Sequence, residues 1–119
     1  MHPFPDLPQL QFLIGSELEQ ICLGIWQIDL SFSKGAISVQ GDLEHLAQNG
    51  SVRRHNTDED RLVPICLHHL LGQKVRTVER EPFLLTLAFE GGDTIRIFSE
   101  DGPYESGHLY NEAGLMTVF

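Results

Sequence analysis

The chain has 119 residues, 41% of them hydrophobic, with 17 acidic against 8 basic residues and a formal net charge of −9. That length and hydrophobic content suit one domain with its own core, spanning 1–119, and exclude a disordered chain. The acidic excess excludes nucleic acid as an expected partner, because phosphate contacts need clustered cations, and points to a basic protein instead.

Residues 1–6 form a proline-containing lead. They carry no basic cluster, and the apolar run that follows is too short for a signal peptide or a membrane span, so a cytoplasmic location without membrane contact is expected. Asp6 can cap a short helix over Leu7 to Ile14, with Pro8 tolerated in its first turn and Gly15 supplying the left-handed residue that ends it. Leu18 and Ile21, three apart in a predicted strand, need a bulge to share a face. Trp26, Ile28, Leu30 and Phe32 alternate with polar residues, which predicts a strand with one buried face that includes Trp26. Ser33-Lys34-Gly35 turns the chain, and Ile37 and Val39 return as the hairpin partner. Residues 43–46 form a short piece of undetermined type. Residues 47–60 are polar, contain Asn49-Gly50 and lack apolar periodicity, so they read as an exposed, mobile linker. Arg61 to Leu71 reads as the clearest helix, with Leu62, Val63, Cys66, Leu67 and Leu70 on one side.

The pattern then recurs. Leu13, Gly15, Leu30 and Phe32 reappear as Leu70, Gly72, Leu87 and Phe89 at a constant offset of 57 residues. Leu18, Ile21, Trp26 and Ile28 are answered by Val75, Val78, Phe83 and Leu85. One extra residue in the second hairpin restores register, so that Gly35 meets Gly92, Ile37 meets Ile95 and Val39 meets Ile97. Alternation alone would not reproduce the glycines. The expected organisation is therefore an internal repeat, 7–46 and 62–110, whose halves pack across a pseudo-two-fold axis into one core. The fold expected is mainly β, or α+β by the weight of the helices: two helix–Gly–meander units in a small sandwich or open barrel. Residues 104–110 and 115–119 are further strand candidates.

Chemistry is sparse. Asp101, Tyr104, Glu105 and His108 follow a longer turn, and Glu105 with His108 is the candidate acid–base pair of a small hydrolase or isomerase. Six histidines are present, and Cys66 and His69 are three apart on the predicted helix. These two are the candidate metal ligands, yet one pair does not complete a site and no CxxC or HExxH spacing accompanies it, so no metal or other cofactor is expected. Cys22 and Cys66, each in an apolar run, read as buried thiols of a reducing compartment. No nucleophile elbow is present.

Gly72, Val75, Val78, Leu85, Leu87, Phe89, Gly92, Ile95, Ile97 and then Tyr104-Glu105-Ser106 form a pattern that resembles small bacterial domains of unknown function, some of which look like candidate immunity proteins. The resemblance implies a non-enzymatic inhibitor of a partner toxin. The expected contact surface is acidic: Asp93, Glu100, Asp101 and Glu105, with Tyr104 as an anchor. A homodimer formed through an exposed edge strand is the remaining alternative, as a structural subunit.

Overall fold

A computed structural model describes residues 2–56, 65–100 and 105–119. The fold is mainly β, with two antiparallel five-stranded sheets and no closed barrel. A four-residue helix, α1 (Leu7–Leu10), runs into a 3-10 turn over Gln11–Leu13. Then come β1 (Leu18–Leu23), β2 (Ile28–Phe32), β3 (Gly35–Val39), β4 (Leu43–Leu46) and β5 (Val52–His55). After a second 3-10 turn over His68–Leu70 follow β6 (Val75–Glu81), β7 (Leu84–Phe89), β8 (Thr94–Phe98), β9 (Gly107–Tyr110) and β10 (Met116–Val118).

Stretches 57 residues apart carry matching local features. Each 3-10 turn ends in a buried leucine, Leu13 or Leu70, and leads to a glycine in the left-handed region, Gly15 at φ 78° or Gly72 at φ 89°. That backbone region is cheap for glycine and strained for a residue carrying Cβ. A register shift falls between Leu18 and Gln20 in β1, and another between Val75 and Thr77 in β6, at the repeat offset. The bulge turns Leu18 and Ile21 inward together, and likewise Val75 and Val78, which strict period-two alternation forbids.

The halves meet directly at equivalent residues. Glu17 and Lys74, equivalent residues of the repeat, form a backbone bridge. Around it the hydrogen bonds are reciprocal. The Gly15 amide donates to Val75 O at 2.7 Å and the Gly72 amide to Leu18 O at 2.8 Å. The Leu18 amide donates to Gln73 O and the Val75 amide to Ser16 O, each at 2.9 Å. Residue i bonding j while j's equivalent bonds i's equivalent is the mark of a two-fold axis.

The meanders are not self-contained. One sheet runs β1-β2-β3-β9-β10 and the other β5-β4-β8-β7-β6. The first half's β4 pairs with the second half's β8, and β9 pairs with β3, so the halves exchange their last strands. Through this exchange Leu43 corresponds to Gly107, His45 to Leu109 and His55 to Phe119, at an offset of 64. Ile28, Leu30, Phe32, Ile37, Val39 and Leu109 from one sheet, and Leu43, Leu85, Leu87, Phe89, Ile95 and Ile97 from the other, belong to a single apolar core. At about 25 cal/mol per Å² of apolar surface removed from water, burial on this scale is the main favourable contribution to folding. Phe4 of the lead also enters the core, stacked on Phe119 at 4.5 Å between ring centroids.

Several expectations are corrected. Trp26 and Phe83 are not core residues; they are 67% and 40% exposed. The buried faces begin two residues later, at Ile28 and Leu85, because the preceding residues turn the chain between strands. Both nevertheless hold the same station, at the tip of the first hairpin of each half. The stretch expected as a linker contains β5, which pairs along the whole of β4; its residues 57–60 lie outside the described residues. Of the expected helix over 61–71, residues 61–64 also lie outside them, and 65–71 hold only the 3-10 turn, with Leu67 and Leu70 as the inward pair. Cys22 and Cys66 are exposed, not buried thiols.

The sister half's Phe119 shows what His55 costs. His55 is buried, and its Nε2 has no hydrogen-bond partner among the described residues. Burial first, then the nearby positive charge of His45 and Arg53, holds its pKa below the ordinary 6.5. A depressed imidazole favours the neutral folded state, so its contribution to stability is complete above pH 6.5 and is lost as pH falls below it. His55→Phe is therefore expected to raise the unfolding free energy by roughly 1–2 kcal/mol, the scale of one unsatisfied buried polar group. It should also flatten the decline of the urea midpoint measured on the two sides of pH 6.5.

Candidate functional site

Three side chains remote in sequence converge beside the β7–β8 hairpin. His45 stands on the inward face of β4, opposite Ile95 of β8. Asp93 immediately precedes β8, where its carbonyl accepts from the Phe89 amide and closes the hairpin. His69 is the middle residue of the second 3-10 turn. His45 Nε2–H donates to Asp93 Oδ2 at 2.9 Å, and His69 Nε2–H donates to the same oxygen. The other carboxylate oxygen accepts the Gln48 amide at 3.0 Å. An ionised carboxylate can only accept, so both imidazoles present Nε2–H to it in this arrangement.

Neighbouring groups hold the cluster in place. Gln73 clamps the 3-10 turn to the hairpin: its Nε2 donates to His69 O at 3.2 Å, and its Oε1 accepts the Gly91 amide at 3.1 Å. His45 and Asp93 are buried, whereas the His69 side chain is 53% exposed. A surface depression lined by Ala47, Gln48, Asn49, His69 and Asp93 opens the cluster to solvent. Burial by itself would push the Asp93 carboxyl up; the hydrogen bonds from His45, His69 and Gln48 outweigh it and hold the group below its ordinary 3.8.

The first half builds the same corner without polar groups. His69 corresponds to Phe12, His45 to Leu109 and Asp93 to Gly35; Asp93, not Gly92 as the alignment of glycines suggests, closes its hairpin opposite Phe89 as Gly35 does opposite Phe32. Phe12 lies against Gly35, and a Cβ on Gly35 would collide with that ring and with Tyr110 O. The fold thus closes this corner by apolar packing in one half and with two imidazoles and a carboxylate in the other.

A second polar cluster lies at the β4–β5 edge. Arg54 Nε donates to Asp42 Oδ2 at 2.5 Å, Asn56 donates to Asp42 Oδ1, and Arg54 lies 4.4 Å over the Phe98 ring. Glu100 is 3.6 Å from Arg54 and half-buried. Burial and then the adjacent Asp42 push its carboxyl up, whereas in Asp42 the effect of burial is outweighed by hydrogen bonds from Asn56 and Arg54.

The sequence candidates separate accordingly. Asp93 is 6% exposed and turned toward the histidines, so it is not part of an acidic contact surface. Glu100 is engaged with Arg54, and Asp101 and Tyr104 lie outside the described residues. Glu105 is exposed and stands 3.5 Å from His108 on the outer face of β9. Cys66 is not brought to His69's cluster; Arg53 Nη1 donates to its Sγ at 3.9 Å. His45 was not singled out in the sequence. Its signal lay in the repeat, as an imidazole in a strand whose sister carries Leu109, but the strand correspondence emerges only with the pairing. No family model, curated protein or solved structure matches the chain.

Removing the Asp93 carboxylate strands a buried imidazole. Asp93→Ala is expected to cost about 1–3 kcal/mol in urea unfolding at neutral pH. A carboxyl held below 3.8 contributes stability that is present above that pH and lost as pH falls through the folded value. The wild-type midpoint should therefore drop on acidification below about pH 4, and the variant should show a smaller drop.

Proposed function

We propose that the protein is a non-enzymatic binding module that captures a basic protein partner. The observation supporting this is how its charges are distributed. Three of the described cations are engaged within the chain: Arg54 with Asp42 and Glu100, Arg96 with Glu44 at 3.1 Å, and Arg80 with the Phe4 and Pro5 carbonyls and Asp6; Lys34, Lys74 and Arg76 are exposed with no ion pair among the described residues. Exposed carboxylates at Glu19, Glu79, Glu81 and Glu112 have no ion pair among the described residues.

Glu19 lies on β1, and Glu79 and Glu81 lie on β6; each strand is the outer one of its sheet. Arg76 is exposed on β6 too, so the acidic part of that rim is its end at Glu79 and Glu81, which would steer a cationic partner into encounter and repel acidic ones. An inhibitor that neutralises a basic toxin works on this principle, in line with the immunity-type resemblance. The contact surface proposed is Glu79 and Glu81, in place of the buried Asp93.

The test is affinity for a candidate basic partner, the product of a neighbouring gene being the first choice, followed by calorimetry across a salt series. Glu79→Lys with Glu81→Lys is expected to weaken binding by about tenfold or more, mostly through slower association, and to reduce the salt dependence. Equal affinity in the double variant would remove this rim as the contact surface.

A further inference from the structure

We propose that His45, His69 and Asp93 form a binding site for one divalent transition-metal ion of the zinc class. The donor atoms are two imidazole nitrogens and one carboxylate oxygen, all lying within 4.8 Å of one another. Two imidazoles and one carboxylate suit a borderline ion such as Zn(II) and not Mg(II) or Ca(II), which prefer all-oxygen surroundings.

Convergence is the first argument. Both Nε2 atoms aim at a single carboxylate oxygen, so one point lies within reach of every donor. For an ion to bind there, the proton on each Nε2 moves to Nδ1 or to solvent, and the ion takes the place of the two N–H···O bonds. Asp93 would keep its Gln48 amide bond through the other oxygen, which fixes the carboxylate plane much as outer hydrogen bonds orient ligands in metalloproteins. The depression beside Ala47, Gln48 and Asn49 leaves a fourth position open to water or an incoming donor,.

The internal repeat supplies the second argument. Phe12, Leu109 and Gly35 occupy the same stations in the sister half, so this corner closes without any of the three polar groups. All three stations are metal-ligand types in one half and none is in the other. The exposed edge of His69 gives the ion a path in. An ion held here ties β4, the 3-10 turn and the β7–β8 hairpin together, and binding should appear as stabilisation of the folded chain.

The experiment uses the full chain, stripped with chelator and titrated with Zn(II) by calorimetry, with Co(II) as the spectroscopic probe. Wild type is expected to bind one equivalent, to raise Tm by about 10 °C at a hundredfold excess over Kd, and to give a Co(II) spectrum free of thiolate charge transfer. His69→Ala, altering the exposed ligand, should weaken binding beyond the roughly 10–100-fold that outer-shell changes cost. His45→Leu, which installs the sister half's residue, is the second variant should His69→Ala fold poorly. His68→Ala should bind as wild type does. The proposal is overturned if wild type takes up no stoichiometric Zn(II), if His69→Ala and His45→Leu both retain it, if His68→Ala abolishes it, or if the Co(II) spectrum shows a cysteine ligand.

Discussion

Everything in this fold is arranged about the short reciprocal ladder through Glu17 and Lys74. Four backbone hydrogen bonds tie equivalent segments to each other across the axis, and they bring together the places where Gly15 and Gly72 let the chain reverse into a strand. Without the left-handed glycines the segments could not turn into this ladder unstrained. Once the ladder is set, β1 and β6 leave the axis in opposite senses, each builds a meander, and the faces carrying Leu30 and Leu87 contribute to one core. Strand exchange follows from the same geometry: each meander's third strand exposes an edge, and the other half's last strands cover it. An uncovered edge is a liability for aggregation, so the exchange joins the halves and satisfies both edges at once.

The doubling provides an internal control that few single chains have. Where both halves keep a residue type, packing explains it: Leu13 and Leu70, Leu18 and Val75, Phe32 and Phe89 are all buried. Where they differ in chemistry, the fold has shown that it can do without one version. Phe119 fills its station and stacks on Phe4, whereas His55 at the matching place has a nitrogen without a hydrogen-bond partner among the described residues. Likewise Phe12, Leu109 and Gly35 meet the packing requirement that His69, His45 and Asp93 meet with hydrogen bonds. Burying a carboxylate and an imidazole is costly unless they are paired, and the protein incurs that cost in one half only.

What the sequence made legible was the local part. The repeat, its glycines, the paired bulges and the central hairpins are written in alternation and turn residues, which act over a few positions. What it did not show was nonlocal. Nothing in the residues of β4 or β9 says that each pairs with the opposite half, since either third strand offers the same backbone edge. The 3.6-residue spacing over 61–71 suggested a long helix, yet Leu67 and Leu70 need only one 3-10 turn to reach the core, as Leu10 and Leu13 do. Alternation extended past the strand's end puts Trp26 in the core, but the chain turns there and leaves it exposed. His69 stands three residues from Cys66, but the residues that face it come from 24 positions away in either direction, His45 and Asp93. Sequence spacing finds metal-ligand pairs on one element, and it is blind to donors gathered from three.

The asymmetry between the halves has a structural origin in one residue. The β2–β3 hairpin has two residues, Ser33 and Lys34, between its closing positions, whereas the β7–β8 hairpin has three, Glu90, Gly91 and Gly92, with Gly92 at φ 98°. In the shorter hairpin Gly35 lies against the Phe12 ring and Tyr110 O, and no side chain fits. In the longer one, position 93 carries a carboxylate, with an imidazole from the 3-10 turn where the first half has a phenyl ring. The two changes depend on each other: Phe at 69 would leave Asp93 short of a donor, and Gly at 93 would leave two imidazoles facing each other with no acceptor. His45 completes the set only because strand exchange carries β4 into the second half's sheet. The cluster therefore draws on all three levels of the architecture: the inserted hairpin residue, the 3-10 turn that the axis ladder holds in place, and the exchanged strand.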